Sequence, residues 1–225
     1  MIDLTPLAGG VIVSCQARPD NPLHGPTFMR AVAVAAERGG AVGIRAEGAD
    51  DVAAIRSAVA VPIIGIRKIL DGRPVYITPT LETAREVVDA GADIVALDAT
   101  LRERAGGPSA AELIRRIRDE LGVRVMADVD DVASGTSAAE AGADLIATTL
   151  SGYTRDRVPT APDFALISSL RSQIDVPVVA EGRIWTPSDV RTAFEAGAWA
   201  VVVGTAVTNP LKITERLVAQ TGWSR

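Results

Sequence analysis

The chain has 225 residues, of which 48% are hydrophobic and 23% are charged, and its formal net charge is −5. This composition predicts a soluble folded chain long enough for a sizeable core, and it excludes a disordered or membrane-embedded one. The arginines are scattered and form no basic stripe, which excludes a nucleic-acid surface. We therefore expect a single domain over residues 1–225, with no nucleic-acid partner and no membrane partner.

The start of the chain does not resemble a secretion signal. Asp3 stands where a signal would carry basic residues, and the apolar run 11–13 is far too short for its hydrophobic region. We therefore expect a cytoplasmic protein. The lone Cys15 has no disulfide partner and is interpreted as a core thiol. Together with the lone His24 it cannot build a structural zinc site.

A repeated pattern predicts the fold. Four segments end a helix at a glycine and continue as an apolar strand, and these glycines, at 40, 91, 142 and 197, lie 51, 51 and 55 residues apart. Each interval is about twice one strand-plus-helix unit, so each should hold a second strand. The eight predicted strands lie at 10–16, 41–45, 61–66, 92–98, 123–128, 143–149, 176–181 and 198–204.

Helical patterns separate these strands at 26–38, 50–59, 83–90, 109–121, 134–141, 163–173 and 187–196. An unbroken strand–helix alternation that reaches eight strands predicts an α/β protein, a single (β/α)8 TIM barrel, with a doubly wound sheet as the alternative. The long loop 154–162 is a candidate lid.

Polar side chains stand at the carboxyl ends of the predicted strands, where barrels of this kind build their sites. Two late glycine turns, Gly182 with Arg183 and Gly204 with Thr205, suit a phosphate, because glycine lets backbone N–H groups approach an anion. The full set is Gln16, Arg45, Lys68, Asp98, Asp128, Thr149, Ser151, Glu181, Gly182, Arg183, Gly204 and Thr205.

Several motifs resemble the N-acetylmannosamine-6-phosphate 2-epimerase family over nearly the whole chain. The resemblance implies cofactor-independent interconversion of N-acetylmannosamine 6-phosphate and N-acetylglucosamine 6-phosphate in sialic acid and amino sugar breakdown. The partner is then a small phosphorylated amino sugar. Barrels of this size often form homodimers. The motifs are Ser14–Ala17, Leu23–Pro26, Gly40–Arg45, Tyr76–Thr80, Leu97–Thr100, Met126–Asp128, Thr148–Thr154 and Ala180–Arg183.

The resemblance also implies roles for individual residues. Lys68 matches the family's catalytic lysine because 65–68 reads Gly-Ile-Arg-Lys, and Glu181 matches its partner carboxylate. The positions that match substrate contacts are Gln16, Arg45, Asp128 and Thr149. One departure is Asn209, which stands where many members have an arginine that grips the phosphorylated sugar; asparagine cannot supply that charge.

Epimerisation at C2 needs a group that removes the proton next to the C1 aldehyde. Lys68 can do so when neutral, which an apolar strand floor favours, with Glu181 orienting it and donors near Asp128 or Arg45 stabilising the enolate oxygen. Three alternatives stay open: an aldolase with Lys68 as Schiff-base nucleophile, a divalent-metal epimerase, and a non-catalytic sugar-phosphate-binding barrel.

Overall fold

A computed structural model of the chain describes residues 1–104, 106–154 and 159–222. Within these ranges, eight parallel strands close into a barrel in which each strand pairs with the next and the last pairs with the first. The predicted (β/α)8 barrel is thereby confirmed. The strands are β1 (Val11–Cys15), β2 (Gly43–Glu47), β3 (Ile63–Ile66), β4 (Ile94–Asp98), β5 (Arg124–Asp128), β6 (Leu145–Ala147), β7 (Val178–Glu181) and β8 (Ala200–Val203).

Helices cover the outside of the barrel, and among the described residues none has the length and apolar character needed to cross a membrane. The predicted helix 109–121 ends earlier, at Arg116, and continues as one π-helical turn, Ile117–Leu121. The last two helices were not picked out by the sequence patterns. The helices are α1 (Pro26–Arg38), α2 (Ala49–Arg56), α3 (Leu81–Asp89), α4 (Ala110–Arg116), α5 (Val132–Glu140), α6 (Phe164–Arg171), α7 (Pro187–Glu195), α8 (Thr205–Thr208) and α9 (Pro210–Val218).

The repeated glycines end their helices as predicted. After α3, Gly91 adopts φ +105°, its N–H donates to the carbonyl of Val88, and the N–H of Ala92 donates to the carbonyl of Val87. This pair of bonds is a Schellman motif, which satisfies carbonyls that the helix end leaves free. The same two bonds recur at Gly40, Gly142 and Gly197.

An aspartate that follows two of these glycines ties the helix end to the preceding strand. Asp93 accepts a hydrogen bond from the N–H of Ile63 at 2.8 Å and pairs with Arg56 at 2.9 Å. Asp144 does the same with the N–H of Val125 and with Arg124. The repeated Gly-Ala-Asp sequence therefore both ends a helix and positions the next strand.

Side chains alternate along each strand between the barrel interior and the layer beneath the helices. On β4, Ile94 and Ala96 pack in the interior, whereas Val95 and Leu97 pack outward. The interior of the barrel is thus filled with apolar side chains, among them Met126 and Val179. At the carboxyl ends of the strands, the inward-facing positions carry polar side chains, and these lie above the apolar interior. The site is therefore at the carboxyl end of the barrel.

The candidate lid, 154–162, includes residues 155–158, which lie outside the described residues, so that interpretation stays a prediction.

Candidate active site

The carboxyl ends of the strands surround an open cavity of about 1100 Å³. Nine of the sequence-predicted site residues line it, and Asp128 is buried directly beneath them, where it contacts Thr149. Two other strand-end residues lie away from the cavity: Asp98 is buried and paired with Arg102, and Ser151 donates to Asp163. The lining residues predicted from sequence are Gln16, Arg45, Lys68, Thr149, Glu181, Gly182, Arg183, Gly204 and Thr205.

A buried ion cluster forms the centre of the site. The Arg45 guanidinium, 1% exposed, binds both oxygens of Asp128 at 2.9 and 2.6 Å and also binds Oε2 of Glu181 at 2.7 Å. The Thr149 hydroxyl donates to both carboxylates, at 2.7 Å to Asp128 and 3.1 Å to Glu181. These four side chains come from four different strands or strand ends, so the barrel closure itself assembles them.

The ionisation of this cluster follows from burial and charge. Burial opposes the charge on Arg45, but the carboxylates of Asp128 and Glu181 outweigh it and raise the pKa of the guanidinium. Burial also raises the pKa of Glu181, against the opposing charge of Arg45. A carboxyl with a raised pKa can exchange a proton nearer to neutral pH than an ordinary glutamate can.

Lys68 follows β3 and projects into the same cavity. Its Nζ donates to Oε1 of Gln16 at 2.6 Å, and the amide nitrogen of Gln16 donates to the hydroxyl of Ser14 at 2.7 Å. Burial lowers the pKa of Lys68, and the positive charge of Arg45 lowers it further, against the carboxylates of Glu47 and Glu181. A lowered pKa brings the neutral amine, the form that can act as a base, nearer to neutral pH than in an ordinary lysine.

The contacts of Lys68 and Glu181 in the structure differ from the predicted arrangement, in which Glu181 orients Lys68. Among the described residues, the amine of Lys68 hydrogen bonds to Gln16, and the Glu181 carboxylate hydrogen bonds to Arg45 and Thr149. The Glu181 carboxylate therefore influences Lys68 through its charge, without a hydrogen bond to it among the described residues. The physical reason is that Arg45, which binds Asp128 through two nitrogens, also donates to Oε2 of Glu181.

A short hairpin after β3 fixes the backbone of Lys68. Lys68 and Ile77 form an antiparallel bridge, and the N–H of Thr78 donates to the carbonyl of Arg67 at 2.7 Å. Thr78 is fully buried at φ +43°, a conformation that a β-branched residue rarely adopts, and its hydroxyl bonds to the carbonyl of Ala96. Strain of this kind concentrates at functional sites.

The sequence analysis assigned no site role to Glu47, Ser14 or Thr78, although Ser14 and Thr78 lie within motifs of the family resemblance. Glu47 accepts hydrogen bonds from the backbone N–H of Lys68 at 3.1 Å and from Arg67 at 3.3 Å. A signal for Glu47 and Ser14 was present, because each lies two positions from Arg45 or Gln16 and so shares their inward face. No sequence pattern indicated the left-handed conformation of Thr78.

The two glycine turns predicted to bind phosphate differ in their side chains. Gly182 adopts φ +114°, and the Arg183 guanidinium donates to the carbonyls of Ser151 and Ala161 at 2.7 and 2.6 Å. It also lies 5.2 Å from the centre of the Tyr153 ring. Arg183 is therefore engaged with the loop after β6. Gly204 packs against Ser14, and Thr205 begins α8. Phosphate binding at these turns stays a prediction.

Two smaller predictions concern the remaining chemistry-bearing side chains. Cys15 is fully buried, and burial, reinforced by the charge of Asp51, raises the pKa of its thiol to about 12. The thiol is thus a core residue, as predicted. Within residues 1–104, 106–154 and 159–222, no three His, Cys, Asp or Glu side chains are grouped in a way that could hold a metal ion.

Known proteins resemble this chain along most of its length. A family model described as "Putative N-acetylmannosamine-6-phosphate epimerase" matches residues 29–222. A relative from Cutibacterium acnes is 53% identical over 222 residues, which are 97% of this chain and 93% of the relative. A relative from Caldanaerobacter subterraneus is 49% identical over 215 residues, 94% of this chain and 91% of the relative. Both are described as "Putative N-acetylmannosamine-6-phosphate 2-epimerase".

Solved structures agree in fold. The N-acetylmannosamine-6-phosphate 2-epimerase from Clostridium perfringens superimposes with a TM-score of 0.92 at 39% identity, over 96% of this chain and 95% of that one. A thiamine phosphate pyrophosphorylase from Pyrococcus furiosus, 16% identical with a TM-score of 0.63 over 94% and 93% of the two chains, shares the fold alone. By the family match and by relatives at about half identity, the chain belongs to the N-acetylmannosamine-6-phosphate 2-epimerase family.

Proposed function

We propose that this chain interconverts N-acetylmannosamine 6-phosphate and N-acetylglucosamine 6-phosphate by removing and returning the proton at C2. The reaction needs no cofactor and serves the breakdown of sialic acids and other amino sugars. Family membership supports the substrate class. The observation that carries the chemistry is a lysine with a lowered pKa that faces the same cavity as a buried arginine–carboxylate cluster.

The first half of the reaction breaks the C2–H bond of the open-chain sugar. The neutral amine of Lys68 takes the proton, and the electron pair moves through C1 onto the aldehyde oxygen to give an enolate that keeps the N-acetyl group on C2. Lys68 is then a cation, which the charges of Glu47 and Glu181 favour. In the second half, the Lys68 ammonium or the Glu181 carboxyl returns a proton to C2 on the opposite face, and the C1 aldehyde re-forms to give the epimer.

The enolate oxygen on C1 needs positive charge nearby. Arg45 is held in place by Asp128 and Glu181, so its charge is fixed before the substrate arrives and needs no reorganisation during the reaction. General acid–base catalysis contributes about 10²–10⁴-fold, and positioning together with electrostatic stabilisation supplies the rest.

Proton NMR in D₂O tests the proposal. Wild-type protein should convert N-acetylmannosamine 6-phosphate to its epimer and replace the C2 hydrogen of both sugars with deuterium, with the free sugars reacting more slowly. Binding without exchange would instead indicate a non-catalytic sugar-phosphate barrel. Trapping of the sugar on the protein by borohydride would indicate a Schiff-base aldolase, and loss of turnover with chelator would indicate a metal-dependent epimerase.

A further inference from the structure

A phosphate monoester carries nearly two negative charges, so a cation free to meet it adds to what the backbone N–H groups of the glycine turns can provide and favours the phosphorylated sugar. Six of the described lysines and arginines line the cavity, and five of them already have partners among the described residues. The five are Arg45 with Asp128 and Glu181, Arg67 with Glu47 and Glu86, Lys68 with Gln16, Arg183 with two backbone carbonyls, and Lys212 with Glu215.

The sixth is Arg18, whose side chain makes no hydrogen bond or ion pair with any residue in the described ranges. It lies on the loop between β1 and α1, is exposed, and lines the cavity. Its positive charge acts on Lys68 and Tyr76, which both lie in the segment after β3. Burial is the main cause of the lowered pKa of Lys68 and of the raised pKa of Tyr76, and the charge of Arg18 acts in the lowering direction on each. The guanidinium is therefore close enough to the catalytic end of the cavity to act on charges there.

The loop that carries Arg18 is held in place. The N–H of Asn21 donates to the carbonyl of Arg18 at 2.9 Å, and His24 bonds through Nδ1 to the carbonyl of Ala17 at 2.9 Å. The side chain of Asn21 also donates to Oδ1 of Asn209 at 3.4 Å. This last contact places the loop next to the segment that follows β8, where the Gly204 turn was predicted to bind phosphate.

Asn209 cannot supply the missing charge. Its side-chain oxygen accepts from the N–H of Lys212 at 3.1 Å and so caps the start of α9. The nearby Lys212 ammonium is paired with Glu215 at 2.7 Å. Asn209 is neutral and Lys212 is paired, so the described residues on this side of the cavity provide no free cation.

We propose that Arg18 supplies the cationic contact to the phosphate of the substrate and makes the site prefer phosphorylated over free N-acetyl amino sugars. The inference rests on the proposed function and adds a specificity-determining residue to it. Arginine suits the role because its planar guanidinium can bind two phosphate oxygens at once. The β1–α1 loop thus provides the charge that position 209 lacks.

The test compares Arg18→Leu, Arg18→Lys and the control Arg30→Leu, which removes an exposed arginine of α1 that does not line the cavity. The readout is C2 exchange by NMR at varied concentrations of N-acetylmannosamine 6-phosphate and of free N-acetylmannosamine. Arg18→Leu should raise the KM for the phosphorylated sugar about 10- to 100-fold, as loss of a charge-assisted hydrogen bond predicts. Its kcat/KM for the free sugar should change much less than that for the phosphorylated sugar, because only the loss of a positive charge near Lys68 affects both sugars.

Arg18→Lys should recover part of the phosphorylated-sugar affinity, because it keeps the charge and loses only the planar geometry. A purely structural role for Arg18 would instead change both sugars equally. If wild type exchanges C2 and Arg18→Leu keeps the wild-type preference for phosphate, the inference about Arg18 is overturned and the proposed function stands. If wild type exchanges neither sugar, both are overturned.

Discussion

We expect Lys68→Met to lose exchange of the C2 proton with solvent, with the rate falling about 10²–10⁴-fold, the range general-base catalysis supplies. Methionine keeps most of the length of the lysine side chain and cannot take a proton. The fold should be retained, because the Lys68 side chain lies at the open end of the barrel and, within the described part of the chain, makes one hydrogen bond, to Gln16. The measurement is deuterium incorporation at C2 of N-acetylglucosamine 6-phosphate, with ligand binding followed by thermal shift.

The chain offers a matched control, because it contains only two lysines, Lys68 and Lys212. Lys212→Met makes the same chemical change at an exposed side chain paired with Glu215, and it should retain C2 exchange. Ordinary turnover by Lys68→Met would remove the lysine from the mechanism. Exchange that is lost together with ligand binding would point to a binding role for Lys68 instead.

The second large effect is expected from Arg45→Met, on stability as well as activity. This change leaves the carboxylates of Asp128, fully buried, and Glu181, 14% exposed, without their cation. Breaking a buried pair by removing one partner costs about 3–5 kcal/mol in the free energy of unfolding. The measurement is urea denaturation at several pH values, with C2 exchange as the activity readout.

The stability deficit of Arg45→Met, meaning its loss in the free energy of unfolding relative to wild type, should depend on pH. Without Arg45, burial should raise the folded-state pKa of Glu181 further above its unfolded value, so the variant's stability is lost as pH rises through that folded value. The deficit should therefore be smallest in acid and largest near neutral pH. The control is Arg73→Met, which breaks an exposed pair with Asp71 and should change stability by about 0–1 kcal/mol. Equal deficits for the two variants at pH 7 would contradict the buried-cluster account.

The barrel was predictable because its signals are local. The sequence Gly-Ala-Asp follows a helix at both Gly91 and Gly142. In the structure, the glycine forms the turn that ends the helix, and the aspartate hydrogen bonds to the backbone of the neighbouring strand. The apolar runs that follow could only be strands buried on both faces. The motif Gly-Ile-Arg-Lys placed Lys68 at a strand end, and the structure puts its side chain in the cavity.

The contacts within the site were not predictable from sequence, because they join residues far apart in the chain. Arg45 lies 83 residues from Asp128 and 136 from Glu181, and only closure of the barrel brings the three together. The expectation that Glu181 orients Lys68 did not account for Arg45, whose guanidinium donates to the Glu181 carboxylate. The C-terminal helix α9 was missed for a different reason: none of its residues is buried, so the barrel core places no constraint on its sequence.

The most direct test of the central claim is a pH titration of the two lysines by NMR, using protein labelled with ¹³C at lysine Cε. Two signals should appear, and Lys212→Met assigns them. We expect Lys68 to titrate below the ordinary lysine pKa of about 10.4, and the acid limb of the pH–rate profile for C2 exchange to follow the Lys68 titration. If Lys68 instead titrates near that ordinary value, it is not held as a neutral base and the mechanism is contradicted.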